Sequence, residues 1–153
     1  PDEGCVCGCR RILEMARGLT EKDLVFTMCT NGVSALLTLP APGVSLEDVR
    51  RTTYMMQIER GVPTGDLNPV RNHLDVMKGG RLSRYIQPAR AIHIVGWDPH
   101  TYEQLTRQNV WLHSLPEGST FETAVRNLKK WDAWDEAPAS VRAHMTRADL
   151  AHE

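Results

Sequence analysis

A short apolar run that passes directly into a polar turn constrains the fold of this chain more than any other stretch. Residues 24–29, LVFTMC, are almost wholly apolar, which is typical of a strand buried on both faces of a sheet. The turn TNGVS follows at residues 30–34 and leads into a helix-compatible segment. In open α/β folds, such a turn at the carboxyl edge of the sheet forms the usual crevice for anionic ligands. The sequence therefore predicts a candidate anion site, with a plain strand-to-helix connection as the alternative.

A second apolar run indicates how the sheet is built. Residues 91–95, AIHIV, form the second clear strand and end at another polar turn, residues 96–99. Because long helix-compatible segments separate the two strands, we expect a parallel pair with a right-handed connection. The expected fold class is α/β, a Rossmann-like parallel sheet with helices on both faces. Two strands are too few for a stable covered sheet, and the chain begins at Pro1, so we expect an incomplete domain fragment.

Helix start signals divide the rest of the chain. Residues 2–18 predict an amphipathic helix, and Ser45 is the expected N-cap of a second one. Asn68 and Pro69 are interpreted as the N-cap and first residue of a helix that runs to Gly79 and Gly80. Further helices are expected at residues 81–86, after Ser119 or Thr120, and after Pro138.

The charge balance and hydropathy of the chain exclude several classes of partner. A net charge of −1 over 153 residues gives no basic surface for nucleic acid. No apolar run approaches the ~18–20 residues that a membrane span needs, and no secretory signal is present. We expect a cytoplasmic protein that binds neither nucleic acid nor membranes.

Three of the four cysteines form a C-x-C-x-C cluster at Cys5, Cys7 and Cys9, and Cys29 stands apart. Closely spaced thiols suggest a metal site, but no histidine lies at metal-site spacing. On a helix, Cys5 and Cys9 would share a face while Cys7 points elsewhere, which suits one metal ion poorly. We interpret the cysteines as reduced packing residues, as is usual in the cytoplasm.

Polar residues that could carry chemistry cluster near predicted element ends. Beyond the turn at residues 30–34, they occupy residues 68–73, residues 78–81 and Asp98. An arginine can bind a carboxylate or phosphate through two hydrogen bonds, and a lysine adds a mobile charge. A carboxylate at a strand end can hold a divalent cation beside phosphates. Each cluster alone is also compatible with a solvated helix face or a simple turn.

Several of these segments occur together, and in this order, in one enzyme family. They include Pro1-Asp2-Glu3, Ser34 to Leu37, N-x-V-R-x-H-L from Asn68, and K-G-G-R-L from Lys78. Together they resemble the glycerate 2-kinase family, the type-II glycerate kinases that carry a MOFRL domain. The resemblance is good over residues 1–95 of the family's N-terminal α/β domain, whereas residues 96–153 are helical and divergent.

The resemblance implies an ATP-dependent phosphotransferase that uses Mg²⁺. The family transfers the ATP γ-phosphate to the 2-hydroxyl of D-glycerate or a related hydroxy acid, by positioning and charge stabilisation. The implied catalytic residues are Arg71, Lys78 and Asp98, and Asp98 is also the implied metal ligand. The expected partners are the small-molecule substrate and the remainder of the enzyme or a second chain, with a homodimer as one arrangement. The implied substrate- or nucleotide-binding residues are Asn31, Gly32, Ser34, Asn68, His73, Gly79 and Gly80.

The sequence also departs from the family pattern. The family's S-G-G-G-S loop is here Thr30-Asn31-Gly32-Val33-Ser34, so that Asn and Val replace two glycines that let a phosphate approach the backbone. A family motif after the second strand, S-G-P-T, is missing. The alternative is therefore a non-catalytic binding module that has lost the phosphate cradle. A hydroxypyruvate reductase is a weaker third option, since no G-x-G-x-x-G follows either strand.

Overall fold

The structure of the chain is a computed structural model that describes residues 1–30, 32–96, 114, 116 and 118–147. The described residues form two compact units, the first within residues 1–39 and 77–117 and the second within residues 40–76 and 118–153. In the part of the chain described, no helix is long and apolar enough to cross a membrane. In chain order the elements are α1 (Glu3–Ala16), β1 (Leu24–Cys29), α2 (Val33–Leu36), α3 (Leu46–Tyr54), a π-helical turn (Met55–Glu59), α4 (Thr64–His73), α5 (Arg81–Ile86), β2 (Arg90–Val95), α6 (Phe121–Lys130) and α7 (Ala139–Thr146).

The first unit contains the two strands, which pair in parallel as the sequence predicts. Leu24 pairs with Arg90, and the register continues without a bulge to Cys29 and Val95. Helices α1 and α5 contact each other, and α5 contacts β2. A parallel pair with a long crossover and accompanying helices confirms the α/β fold class.

The exposure of the strands differs from the sequence prediction of burial on both faces. Along β1 the side chains alternate, so that Val25 and Thr27 are half-buried while Phe26 is 62% and Met28 75% exposed. Ile92 and Ile94 pair with Phe26 and Met28 in the register and are also exposed. Since successive residues of a strand point to opposite faces, these four side chains form one apolar face. An apolar run alone cannot distinguish a strand covered on two faces from one covered on one face.

The start of α1 shows why this helix forms where it does. The Asp2 side chain accepts a hydrogen bond from the Cys5 backbone N–H at 3.0 Å, which caps the first turn. Val6, Cys9 and Ala16 are buried, while the arginines between them are exposed. The helix is therefore amphipathic, as the sequence predicts.

The second unit is helical and contains its own hydrophobic core. Met55 and Met56 of the π-helical turn, Leu74, and Leu128 of α6 are almost completely buried in it. Helices α4 and α6 make the most extensive contact between two helices of this unit. Asp66 connects them, because its carboxylate accepts hydrogen bonds from Lys130 Nζ at 2.7 Å and Trp131 Nε1 at 2.8 Å.

The N-cap predicted at Ser45 is confirmed, and Thr120, one of the two N-cap residues predicted for α6, caps that helix. The prediction for α4 is wrong. Helix α4 begins at Thr64, so Pro69 lies inside it and Asn68 is not its N-cap. Arg71 and His73 consequently lie in the last turn rather than the first, and Lys78 lies beyond the helix end. The acidic residue Asp66 already occupies the first turn, where it favours helix initiation. Proline marks a helix start only on average, and here the earlier signal prevails.

Candidate functional site

The turn after β1 has the backbone geometry of a tight strand-to-helix connection. Gly32 has φ 91° and is the N-cap of α2, so a left-handed conformation falls on the glycine. Val33 is the first residue of α2, and it and Ser34 are half-buried. Asn31 lies outside the described residues. The turn thus retains a glycine, Gly32, at the position with a left-handed backbone conformation, while Val33 adopts ordinary helical geometry.

Lys78 lies beside the segment that follows this turn. Its side chain is buried, and its Nζ donates hydrogen bonds to the Leu37 carbonyl oxygen and to Thr38 Oγ1, the latter at 3.0 Å. Thr38 Oγ1 in turn donates to the Ala35 carbonyl oxygen at 2.9 Å. A buried ammonium group needs such oxygen partners to offset its lost hydration. Lys78 therefore fixes the end of α2 and holds a positive charge within a few residues of the turn.

Two consecutive glycines allow the chain to reverse direction after Lys78. Gly79 and Gly80 have φ 66° and 78°, a region that residues with a Cβ adopt at a cost. Arg81 then returns to the Lys78 carbonyl oxygen, to which its Nη1 donates at 3.0 Å. The K-G-G-R sequence is thus one turn that positions the Lys78 side chain and starts α5.

A groove of about 580 Å³ opens beside the turn, between α1 and the carboxyl end of β1. Most of its surface is apolar, and none of the described residues that line it is a lysine or an arginine. One wall comes from α1 and the other from the strand end, the turn and α2. The lining residues are Asp2, Gly4, Cys5, Gly8, Cys9 and Ile12 on the first wall and Met28, Cys29, Thr30, Val33, Leu36 and Leu37 on the second.

The polar end of this groove is formed by Asp2. Hydrogen bonds from Cys5 hold the pKa of the Asp2 carboxyl below its usual value, so that the group is ionised at neutral pH. Glycine at residue 4 leaves room for this carboxylate, because a Cβ there would lie 3.1 Å from Asp2 Oδ1, closer than most Cβ contacts. The groove is therefore neutral to negative in charge.

The cysteines are distributed as a helical α1 requires. Cys9 is buried, Cys5 is half-buried and Cys7 is exposed, so that of the three cysteines on α1 Cys5 and Cys9 line the groove and Cys7 does not. Burial raises the pKa of the Cys29 thiol on the opposite wall. Within the described part of the chain, no group of three or more His, Cys, Asp or Glu side chains is arranged to hold a metal ion.

The candidate residues of the second unit lie on α4. Asn68 and His73 are buried, and the His73 Nδ1–H donates to the Pro69 carbonyl oxygen at 2.7 Å. The ring of Phe121 packs edge-on against His73, with ring centroids 4.6 Å apart. Burial lowers the pKa of the Arg71 guanidinium, while the nearby charge of Asp75 opposes this shift. Arginine remains protonated in any such environment, so Arg71 is a half-buried positive charge.

The structure brings together some of the residues that the sequence singles out. Gly32, Ser34, Lys78, Gly79 and Gly80 belong to the first unit, where Lys78 reaches the segment after the turn. Asn68, Arg71 and His73 belong to the second unit. Asp98 lies outside the described residues. Arg71 and Lys78, expected to flank one helix, thus belong to different units.

Sequence reasoning missed the groove wall on α1. Gly4 and Gly8 lie one helical turn apart inside a helix, where glycine costs about 1 kcal/mol relative to alanine. Nothing lies within 4 Å of a Cβ built at Gly8, so packing does not explain its small size. Of these two glycines, Gly8 is therefore the sequence signal of open space along this helix face.

Comparison with known proteins agrees with this geometry. Residues 1–98 match the family described as Domain of unknown function (DUF4147). The glycerate 2-kinase of Pyrococcus horikoshii is 33% identical over 153 residues, covering 96% of this chain and 32% of that protein. The D-glycerate 2-kinase of Thermotoga maritima is 33% identical over 133 residues, covering 86% of this chain and 31% of that protein.

The fold supports the same relationship. A crystal structure of Thermotoga maritima glycerate kinase superimposes with a TM-score of 0.81 at 31% identity, covering 96% of this chain and 34% of that one. The chain therefore spans about a third of the length of the curated relatives it matches. These matches confirm the resemblance to glycerate 2-kinases, and the chain belongs to the DUF4147 family.

Proposed function

We propose that this chain is part of a glycerate 2-kinase-like phosphotransferase that moves the γ-phosphoryl group of ATP to the 2-hydroxyl of D-glycerate or a related hydroxy acid. The relatives that bear the names glycerate 2-kinase and D-glycerate 2-kinase support this activity. Because the chain spans about a third of their length, residues from further segments or from a second chain would complete the site.

The observation that carries the proposal is the position of Lys78. Its ammonium group is held against Leu37 and Thr38, a few residues after the turn at the carboxyl end of β1. This is the edge at which open α/β sheets bind phosphorylated ligands. Phosphoryl transfer depends on positioning and on stabilising negative charge, and a fixed lysine contributes to both. We propose that Lys78 fixes the segment after the turn and that its charge acts on a phosphate bound at the turn.

The glycines around Lys78 would serve the same site. Gly32, Gly79 and Gly80 supply left-handed backbone geometry that keeps two turns tight. Asn31 and Ser34 would offer polar groups from the same turn, and Asp98 would follow the end of β2. The described residues do not by themselves provide a ligand set that fits Mg²⁺, since no suitable cluster occurs among them.

In the second unit, Arg71 would bind the carboxylate of the hydroxy acid. A guanidinium group suits a planar carboxylate because it donates two parallel hydrogen bonds. Its burial strengthens such an interaction, since the local dielectric constant is lower than in water. Asn68 and His73 of the same helix would support this binding.

A non-catalytic binding module is the second candidate, and Val33 favours it. The valine side chain lines the groove at a position where the family pattern has glycine. A β-branched side chain there limits how closely a phosphate approaches the backbone. The fold could thus persist without a working phosphate cradle.

One assay distinguishes the two candidates. The complete protein is incubated with Mg²⁺, ATP and D-glycerate, and ³¹P NMR identifies any phosphoglycerate and the hydroxyl that carries the phosphate. Formation of 2-phosphoglycerate is expected, with a large loss of kcat in Lys78→Met and a raised KM for glycerate in Arg71→Ala. Exposed residues provide matched controls, Lys22→Met and Arg11→Ala, which should retain activity. A well-folded protein that binds neither ATP nor glycerate in calorimetric titrations would instead support the non-catalytic candidate, which has lost the phosphate cradle.

The cytoplasm is the compartment we propose for the protein. All four cysteines are described by the structure, and none of them is joined in a disulfide bond. Reduced thiols are typical of cytoplasmic proteins, in which glutathione and thioredoxin systems keep them reduced.

A further inference from the structure

The groove between α1 and the carboxyl end of β1 differs chemically from the turn and from Lys78. Its volume of about 580 Å³ lies within the range of small-molecule pockets, roughly 300–1,000 Å³. Its walls are mostly apolar, and Ile12, Met28 and Leu36 among the lining residues are exposed although they are large and hydrophobic. Exposed hydrophobic surface in a concave site favours an apolar or aromatic ligand.

The charge of the groove determines which part of a kinase substrate it can accept. Among the described lining residues there is no basic side chain, and Asp2 adds a carboxylate that is ionised at neutral pH. A phosphate or a glycerate carboxylate inside the groove would meet a like charge without a counterion. A neutral, flat group with hydroxyls at one end fits better, because a carboxylate readily accepts hydrogen bonds from hydroxyls.

We infer that this groove binds the nucleoside part of the nucleotide, with the base between α1 and the β1–α2 segment and the ribose hydroxyls toward Asp2. The identity of the ligand as a nucleotide rests on the proposed kinase function. Gly8 of α1 explains how the base enters: no atom lies within 4 Å of the place that a Cβ would take there, so a flat ring can approach the helix backbone. The phosphates extend from the groove toward the turn that follows Thr30 and toward Lys78.

Thiol labelling tests this inference without relying on turnover. Cys5 is half-buried in the groove wall, whereas Cys7 on the same helix is exposed and outside the groove. The protein is alkylated with N-ethylmaleimide with and without adenosine or ATP, and fragmentation mass spectrometry measures the rate at each cysteine. At ten times the Kd, mass action should slow alkylation of Cys5 about tenfold and leave Cys7 unchanged. Equal rates at Cys5 with and without a bound nucleotide would overturn the inference.

A second variant pair tests the same groove through kinetics. Gly8→Leu fills the open space without a clash and replaces a helical glycine, so the protein should fold at least as well. It should raise the KM for ATP about tenfold or more and leave the KM for D-glycerate unchanged. Gly18→Leu, where a Cβ also has no neighbour within 4 Å, should change neither constant.

The outcomes separate this inference from the proposed function. If the Gly8→Leu variant phosphorylates glycerate with an unchanged KM for ATP, the inference about the groove is overturned, whereas the proposed kinase function stands. Protection of Cys5 by D-glycerate but not by adenosine would assign the groove to the acceptor and overturn the inference too. Protection by adenosine in a protein that phosphorylates no glycerate would support the groove as a nucleoside site and refute the proposed reaction.

Discussion

Thr27 and His93 face each other across the two parallel strands, and Thr27 Oγ1 lies 2.6 Å from His93 Nδ1. On the other side of the ring, His93 Nε2 is 3.3 Å from Ser83 Oγ, whose hydroxyl donates to the Ser114 carbonyl oxygen at 3.0 Å. Because the Ser83 proton is used in that bond, Nε2–H is the donor to Ser83 and the Thr27 hydroxyl donates to Nδ1. The contacts thus fix the neutral tautomer of His93 and connect β1, β2 and α5.

This arrangement predicts a pH dependence of stability. Burial lowers the pKa of His93 in the folded protein below the ordinary value of about 6.5. Above that value the histidine is neutral in both states and contributes no pH dependence. As the pH falls below it, the unfolded chain takes up the proton first, so stability decreases until the folded-state pKa is reached.

Urea unfolding between pH 5 and pH 7.5 measures the effect of His93. His93→Gln should lose part of the decrease toward pH 5, since glutamine does not titrate. Thr27→Val should cost about 1–3 kcal/mol by leaving a ring nitrogen without its donor, whereas Thr27→Ser retains the hydroxyl and should cost less. Identical pH profiles for the wild type and His93→Gln would contradict the assignment.

The two phenylalanines of the chain predict opposite responses to truncation. Phe121 of α6 is 4% exposed and packs against His73 and His144, whereas Phe26 of β1 is 62% exposed. Phe121→Ala should destabilise the protein by about 3–5 kcal/mol, because it removes contacts and leaves a cavity. Phe26→Ala should cost less than about 1 kcal/mol, the span of strand propensities.

Denaturant unfolding of both variants tests this difference in burial. Binding of the dye ANS should fall in Phe26→Ala, because the exposed apolar face that includes Met28 and Ile92 becomes smaller. A large loss of stability in Phe26→Ala would show that this face is covered in solution.

The left-handed glycine turn after Lys78 gives a third prediction. Gly80→Ala places a Cβ at φ 78°, which should cost about 1–2 kcal/mol. Gly18→Ala is the matched control, because the backbone of Gly18 has no positive φ and a Cβ at that position would have no neighbour within 4 Å. This substitution should change stability by less than about 0.5 kcal/mol. Thermal unfolding of the two variants side by side measures the difference, and equal stabilities would exclude strain at residue 80.

The sequence was sufficient for those features that depend on local patterns. Hydrophobic runs predict strands at residues 24–29 and 91–95, and both are present, the second beginning one residue earlier at Arg90. Short polar signals predict a cap at Ser45 and another at Ser119 or Thr120, and the observed caps are Ser45 and Thr120. The start of α4 was missed because Asn68 and Pro69 give a strong local signal that the earlier acidic turn overrides. Exposure of Phe26 could not be predicted, since a sheet's coverage depends on residues far away in the sequence.

The candidate site was only partly predictable for a similar reason. The glycines and Lys78 carry recognisable motifs, so they could be found from sequence. The hydrogen bonds from Lys78 to Leu37 and Thr38 join residues about 40 positions apart, and no local pattern encodes such a pair. Arg71 and Lys78 belong to different units. This division likewise depends on how distant parts of the chain pack together, which a local sequence pattern does not reveal.

The contact between Lys78 and Thr38 gives the last prediction, which concerns coupling rather than a single loss. Lys78→Met removes the donor and Thr38→Val removes one acceptor, so in the double variant the second change should cost less than it does alone. The coupling free energy should be about 0.5–3 kcal/mol, as is usual for residues in one hydrogen-bond network. Chemical unfolding of the wild type, both single variants and the double variant provides the cycle. Pairing Lys78→Met with Thr20→Val, a change at an exposed threonine bonded to Asp23, should give additive effects. Additivity in the Lys78–Thr38 cycle as well would mean that the hydrogen bond to Thr38 does not stabilise the segment after the turn, and that the Leu37 carbonyl oxygen alone would have to hold the Lys78 ammonium group there.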